Sequence, residues 1–522
     1  MSFFNINAPV SPRRQTAINL TSTIMSYTLS LGVSFFLLPY IVKQLGAAAY
    51  GFIGLSNNII GYTSLMTVAL NSMSGRFISI KYHEGNFEDS NRYLASTFFA
   101  NAGIGVLIIL ILGIITFFLE QIINIPPELV GDVKFLFVLL FANTSLSTVT
   151  GAFGICTFIK NRLDLANSLQ IFFSLLNATL LIVLYGFFPA HVWYIGMVAL
   201  TCTIIRQFPL YKLYKTLTPE FKLKTSNFDM PRVMEMVKEG SWNLISSLSG
   251  LLNQGLELLL ANIFISAYLM GVLSITKTLP WTLLGFFATL ANNFQPEYLK
   301  FYAQGDMTSL KATLLKSMRI LGLFTAIPCA VIFALGDVFY ASWLPGQDYK
   351  LMYALTCVTL SGLIVSMPTQ SLWYIFTMTK SVRKSSVTML KYSILNVTCI
   401  IIAMYCIHDD MVKIFTLVGI QALINIIRLT TFLPVYGAKV LGFPKYTLLG
   451  PVWKIVFSTA VITAIIIPVK VLFIHNYNWI SFFAGTALTI VIGLCINYRL
   501  SLIESDRVFL REKIRQAIKK IG

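Results

Sequence analysis

Apolar blocks of 20 residues or more recur from near the N-terminus to Ile496, separated by short polar breaks. At 1.5 Å rise per residue, about 20 helical residues cross a hydrocarbon layer about 30 Å thick, so the pattern reads as repeated membrane crossing. A secretory signal would be one short block followed by soluble sequence, and no cleavable signal is evident. The composition agrees: the 522-residue chain is 56% hydrophobic and 11% charged, with mean hydropathy +0.75. A water-soluble protein of that balance would have too little polar matter to cover its surface.

Fourteen spans are expected. Six lie near 15–42, 51–80, 93–119, 133–159, 163–188 and 192–211, and six near 241–265, 268–294, 314–335, 351–377, 387–407 and 412–433, with a last pair near 455–473 and 479–496. Alternate loops test this reading, because cytoplasmic loops are enriched in Lys and Arg. With the N-terminus inside, 33 of the 39 basic residues fall on or near the cytoplasmic side. Lys43, Lys134, Lys350, Lys413 and Lys470 fall outside, and Lys277 alone lies deep in a span. Both termini are therefore expected in the cytoplasm. The same bias accounts for the net charge of +18, which calls for no nucleic-acid partner.

Chemistry outside the membrane has little room. The longest external loops are expected around 120–132 and 336–350, and the other external breaks are shorter. His83, His191, His408 and His475 fall in separate loops and read as solvated, as do Asp409 and Asp410. The seven cysteines occur singly within or at the edges of apolar blocks, without a CxxC, and read as small core residues. No catalytic set, metal site or cofactor is expected, and the chain reads as something other than an enzyme.

An internal repeat organises the spans. Gly51 to Gly85 and Gly271 to Gly305 have equal length, and both end in a Tyr-x-x-Gly turn, Tyr82 to Gly85 and Tyr302 to Gly305. Upstream, AINLTSTI at 17–24 resembles SWNLISSL at 241–248 and aligns Asn19 with Asn243. Six spans separate the copies, so they share an orientation and are related by an axis along the membrane normal, with substrate sites expected between them.

Both copies open with a polar stripe. Asn19, Ser22, Thr23, Ser26, Ser30 and Ser34 form one helical face of the first span, and Asn243, Ser246, Ser247, Gly250, Asn253, Gln254 and Glu257 one face of the seventh. Such a face meets either other helices or a lined cavity. Glu257 favours the cavity, because a carboxylate within a span is costly. In the eighth span Lys277 lies at nearly the same expected depth as Glu257, on a face shared with Trp281. A structural ion pair and a substrate-facing cation are both open, and Pro280 frees a carbonyl about one turn before it. Asn57, in the polar second span, joins the expected cavity set.

The basic N-terminus followed by Asn19, the segment LGAAAYGFIGL at 45–55, Arg76 near the end of a polar second span, Tyr82-x-x-Gly85 and fourteen spans together form a pattern. It resembles the O-antigen flippase or polysaccharide transporter family of the multidrug/oligosaccharidyl-lipid/polysaccharide exporter superfamily. The resemblance implies an all-α polytopic membrane protein of about 14 transmembrane helices, in two six-helix lobes related by a pseudo-two-fold axis along the membrane normal, plus two appended helices. It implies transfer of undecaprenyl-diphosphate-linked oligosaccharide units from the inner to the outer leaflet of the bacterial plasma membrane by alternating access. The partners would be that substrate, membrane lipids, and polysaccharide polymerase and chain-length machinery. A lipid II flippase or a cation-coupled multidrug exporter of the same superfamily remains an alternative, and so does a membrane glycosyl-transfer enzyme.

The expected boundaries are 1–215 for the N-lobe, 216–240 for a cytoplasmic linker, 241–440 for the C-lobe, 441–498 for the appended spans and 499–522 for a basic amphipathic tail on the anionic membrane face. Lys277, Glu257, Asn19, Asn243, Asn253, Gln254, Asn57 and Trp281 are the expected cavity residues. Arg76, Arg319 and Arg428, near cytoplasmic span ends, are candidate diphosphate contacts, because guanidinium binds phosphate oxygens bidentately. For each arginine singly, ordinary cytoplasmic anchoring competes with that role.

The orientation is directly testable. A cysteine placed at Gln347→Cys, in a cysteine-free background, is expected to react with an impermeant thiol reagent on intact cells. Labelling only after permeabilisation would invert the topology.

Overall fold

The computed structural model describes residues 12–379 and 381–500, and these are helical, with no strand among them. Fourteen bundle-length helices follow one another: α1 (Pro12–Leu45), α2 (Ala47–His83), α3 (Phe87–Phe117), α4 (Val130–Thr150), α5 (Leu163–Phe187), α6 (Tyr194–Leu217), α7 (Met230–Gln254), α8 (Ala267–Asn292), α9 (Met307–Trp343), α10 (Tyr349–Leu363), α11 (Val382–Cys406), α12 (Asp410–Thr431), α13 (Gly450–Phe473) and α14 (Trp479–Leu500). Short helical pieces extend α4, α7, α8, α10 and α12. Eleven of the fourteen are long and apolar enough to cross a membrane. The other three have evident reasons: α2 is rich in Ser, Thr and Asn, α6 carries Arg206, Lys212 and Lys215, and α10 has only 15 residues. The chain is a multi-pass, all-helical membrane protein.

Packing divides the chain into a first unit ending at Gly271 and a second beginning at Val272. Sequence repetition places its boundary at 216–240, and the two boundaries measure different things. In the first unit α7 lies so close along α2 that a Cβ added to Gly240 would stand 1.9 Å from the carbonyl oxygen of Ala69. Two cores complete this unit. One brings Ile41, Leu136, Leu181 and Val198 of α1, α4, α5 and α6 together, and the other gathers Leu70, Tyr93, Cys156, Phe221 and Met236.

Phe221 belongs to the expected linker, yet it is fully buried against the rings of Tyr82 and Tyr214. Glu220 accepts from Tyr82 at 3.0 Å, Asn91 bonds both Glu220 and Lys222, and Arg232 bridges Asp89 and Asp229 at 2.8 Å each. The segment is a pinned strap, because Glu220, Phe221, Lys222, Asp229 and Arg232 find partners on α2 and α3.

In the second unit, α9 forms one core with α13 and α14 through Ala330, Leu335, Ile455 and Ile462. Polar bonds reinforce it: Lys470 of α13 pairs with Asp337 of α9, and Ser458 donates to Asn497 of α14. Burial and the bond to Asp337 push the hydroxyl of Tyr477, in the α13–α14 turn, up to about 12. α9 also runs on through Gly336 to Trp343, so most of the loop expected at 336–350 is helix, and the turn that holds Gln347 is short. Asp337, half-buried in this extension, pairs with Lys470 and accepts from Tyr477.

Further sequence readings change. Cys406 and Cys495 are exposed, not core residues, whereas Cys156, Cys202 and Cys329 are buried. His191 bonds Asp132 at 3.0 Å. The amphipathic tail lies outside the described residues apart from its first two positions.

The α2–α7 contact gives a paired prediction. Gly240→Ala drives a methyl into the Ala69 carbonyl and is expected to destabilise by about 1–3 kcal/mol, the usual range for overpacking. Gly250→Ala on the same helix meets nothing within 4 Å and is expected to be neutral or stabilising, by up to about 1 kcal/mol. Equal thermal midpoints for the two purified variants would contradict this packing.

Candidate functional site

Arg76 stands seven residues before the end of α2, where the chain must reverse into α3. The reversal is made by Gly85 at φ 77°, a left-handed conformation that glycine adopts without strain. Gly85 N–H donates to Tyr82, Asn86 N–H to Lys81, and the Asn86 side chain caps α3 by accepting from Asp89 N–H at 3.0 Å. The second copy repeats these bonds: Gly305 at φ 70° donates to Tyr302, Asp306 N–H donates to Phe301, and the Asp306 carboxylate caps α9 from Ser309 N–H at 2.9 Å. The Ser309 hydroxyl, and then its N–H, hold Asp306 below the ordinary carboxylate range.

This turn sets the polar end of α2 opposite Thr97 and Asn101 of α3 and Ser147 and Thr148 of α4. Between them lies a cavity of about 730 Å³. Its lining sets Arg76 and the hydroxyls and amides of Asn71, Ser74, Thr97 and Asn101 beside apolar Ile78, Ile155 and Phe158, and no lining residue is a carboxylate. Arg76 is exposed, and no carboxylate among the described residues pairs with it. Asn101 is buried, donates to Asn71 at 2.9 Å, and keeps a buried Oδ1 that has no protein partner. The cavity therefore offers one cation, several hydroxyls and an unused acceptor. A polyhydroxylated anion matches that set, whereas a hydrophobic cation does not.

The stripe on α1 divides into two uses. Its first part ties α1 to the start of α5. Asn161 stands at φ 53°, and Asn19 Nδ2 donates to both its carbonyl and its side-chain oxygen at 2.9 Å. Asn19 Oδ1 accepts from Gln15 and from Asp164 N–H, and Asp164 is gripped by Gln15 and by both ends of the Arg162 guanidinium. Asn167 donates to Ser22 and Thr23. Asn19 is thus buried in an interhelical network. Ser30 and Ser34, further along α1, line a second cavity of about 350 Å³ with Asn143, Gln170, Asn177 and Arg206. The sequence did not single out Arg206, because it lies near the basic segment that follows α6; its distance from the true helix end is the signal that shows its depth.

The other expected residues are distributed over both units. In the first, Asn57 is exposed, Asn243 half-buried and Asn253 buried, and the side chain of Gln254 lies outside the described residues. Helix α7 breaks at Gly255 and resumes as Leu256–Phe264, which puts the buried Glu257 in a first helical turn, where a carboxylate is favoured. Asn58, unnoticed beside Asn57, donates to the Gly255 carbonyl at 3.1 Å. In the second unit Lys277 is buried on α8, and Trp281 packs against the core around Phe287. The carbonyl of Thr276, left without its usual donor by Pro280, accepts from Thr356 at 3.4 Å. Arg319 is half-buried, and Arg428 is buried and donates to Asn425 at 2.7 Å.

No family model matches the sequence. The chain is 29% identical over 458 residues to an uncharacterized membrane protein, EpsK, of Bacillus subtilis (strain 168), covering 87% of this chain and 90% of that protein. Its fold is that of an inward-facing multidrug resistance MATE family transporter of the MOP superfamily, at TM-score 0.67 and 13% identity over 82% of this chain and 98% of that one. It is equally that of the lipid II flippase MurJ in an inward closed conformation, at TM-score 0.65 and 14% identity over 92% and 99% of the two chains.

The two parts of the α1 stripe respond differently to mutation. Asn19→Ala strands Asp164 and Asn161 and is expected to lower stability by about 1–3 kcal/mol, read as a lower thermal midpoint. Ser34→Ala is expected to leave the midpoint within about 0.5 kcal/mol of wild type. Equal losses would show that both parts of the stripe do the same work.

Proposed function

We propose that this protein is a flippase that carries an undecaprenyl-diphosphate-linked oligosaccharide from the inner to the outer leaflet of the bacterial plasma membrane by alternating access, with both termini in the cytoplasm. The observation that carries the reading is the cavity around Arg76. A sugar diphosphate cannot cross hydrocarbon unaided, whereas its polyprenyl tail never leaves it. The carrier must therefore supply hydroxyls and amides for the sugar and a cation for the diphosphate, and the cavity lining has both. Its position by the basic-loop ends of α2 and α3 suits capture from the leaflet where such a lipid is made. Lys277, buried on α8 of the second unit, is the proposed second cation for the diphosphate.

The MurJ neighbour is described as a flippase for lipid II, which is also a lipid-linked saccharide, and this chemistry supports the same class of substrate here. Multidrug export fits less well. Cationic drugs favour exposed carboxylates, and the cavity presents a guanidinium with no carboxylate beside it.

Display of the glycan outside the cell, at matched protein abundance, tests the reading. Arg76→Gln is expected to reduce display roughly tenfold, the loss of one charge-assisted contact. Lys277→Ala should abolish it, Lys277→Arg should retain part, and Lys277→Ala with Glu257→Ala should be folded yet inactive. Recovery in the double variant would make the two residues a structural pair and remove Lys277 from substrate handling.

A further inference from the structure

Arg206 raises a question that the proposed flippase path leaves open. It stands twelve residues from the Tyr194 end of α6, about 18 Å along the axis. The residues that share its cavity lie at similar depths on their own helices: Ser34 on α1, Asn143 on α4 and Asn177 on α5 are about 15–20 Å from the Leu45, Val130 and Phe187 ends. This cavity is therefore near the middle of the membrane, inside the first unit. A guanidinium at that depth is costly unless an anion or water compensates it. Its Nη1 donates to Gln170 at 3.0 Å, and no carboxylate among the described residues pairs with it. Asn143 adds a buried Oδ1 that has no protein partner.

Size and charge narrow the ligand. About 350 Å³ is far more than a halide needs and suits one hexose-sized ring. A single guanidinium balances the one negative charge of a carboxylate and can bind both of its oxygens. Hydroxyls and amides that can both donate and accept, from Ser30, Ser34, Asn177 and Thr203, match ring hydroxyls. A lipid headgroup fits badly. The adjoining apolar slot, lined by Phe36, Tyr40 and Ile182, lies nearer the helix ends than the polar cavity, which would place the tail closer to the surface than the head.

We propose that this cavity binds a carboxylate-bearing sugar residue, a uronate, of the translocated oligosaccharide, with Arg206 as the carboxylate partner. This rests on the flippase reading for its source of ligand, but it is tested by binding alone. The purified full-length protein in nanodiscs is titrated with methyl β-glucuronide, methyl β-glucoside, inorganic phosphate and chloride at constant ionic strength, followed by saturation-transfer NMR.

The glucuronide is expected to bind at least about tenfold more tightly than the glucoside, phosphate or chloride. Arg206→Gln should bring its affinity down to that of the glucoside, Arg206→Lys should keep part of the preference, and Lys134→Gln, in an exposed pair with Glu120 outside both cavities, should keep all of it. If Arg206→Gln does not fold, Asn177→Asp supplies a carboxylate in the same cavity and should suppress glucuronide binding in a folded protein. Equal binding of glucuronide and glucoside, tighter binding of phosphate or chloride, or undiminished binding after Arg206→Gln or Asn177→Asp would overturn the proposal. A protein that binds the glucuronide as expected but moves no lipid-linked glycan would instead sink the flippase reading and leave this site standing.

Discussion

Hydrocarbon offers polar groups no hydrogen bonds, and the rest of this structure follows from how each one is answered. Backbone groups are answered by helices. Side chains in the spans are answered in three ways: by a carbonyl one turn back on the same helix, as for Thr116 and Thr325, by another helix, as when Asn19 is enclosed by Asn161 and Asp164, or by a cavity, as at Arg76 and Arg206. Where the helix itself fails, a neighbour repairs it. Thr356 reaches the Thr276 carbonyl below Pro280, and Asn58 reaches the Gly255 carbonyl at the break in α7. The polar residues are therefore not scattered defects. Those that reach beyond their own helix mark either a seam or a chamber.

What the sequence could reveal follows the same division. Span number and class are legible because length and hydropathy are local properties, and the repeat is legible because its turns need the same residues: Gly85 and Gly305 occupy matching left-handed positions, each followed by a capping side chain. Which way a polar stripe faces depends on its neighbours. Asn19 and Ser34 look alike in sequence, yet one is a tether and the other lines a cavity. Arg206 was hidden for a simpler reason: α6 extends to Leu217, so an arginine that seemed close to a span end lies well inside. Likewise a segment that reads as a linker is fixed by Phe221 and Glu220, whose partners on α2 and α3 are more than a hundred residues away in sequence.

The electrostatics of the chambers bears on the choice among transporters with this fold. The fold itself is shared by a multidrug transporter and by a lipid II flippase, so it does not identify a substrate. The cavities around Arg76 and Arg206 each carry one arginine and no lining carboxylate, and both offer hydroxyls and amides. A positively charged, hydroxyl-lined interior disfavours a cationic passenger and favours an anionic sugar. The charge of the lining, more than its shape, is what supports a lipid-linked glycan as the cargo.

The central claim is translocation of that lipid, and reconstitution tests it most directly. Purified protein in sealed vesicles would be supplied on the outer leaflet alone with a fluorescent oligosaccharide linked through diphosphate to a polyprenol. The account predicts that an impermeant glycosidase added outside loses access to the labelled glycan over time, faster than in protein-free vesicles and faster than with Arg76→Gln. No acceleration over protein-free vesicles, together with ion-gradient-driven export of a cationic dye by the same preparation, would contradict it.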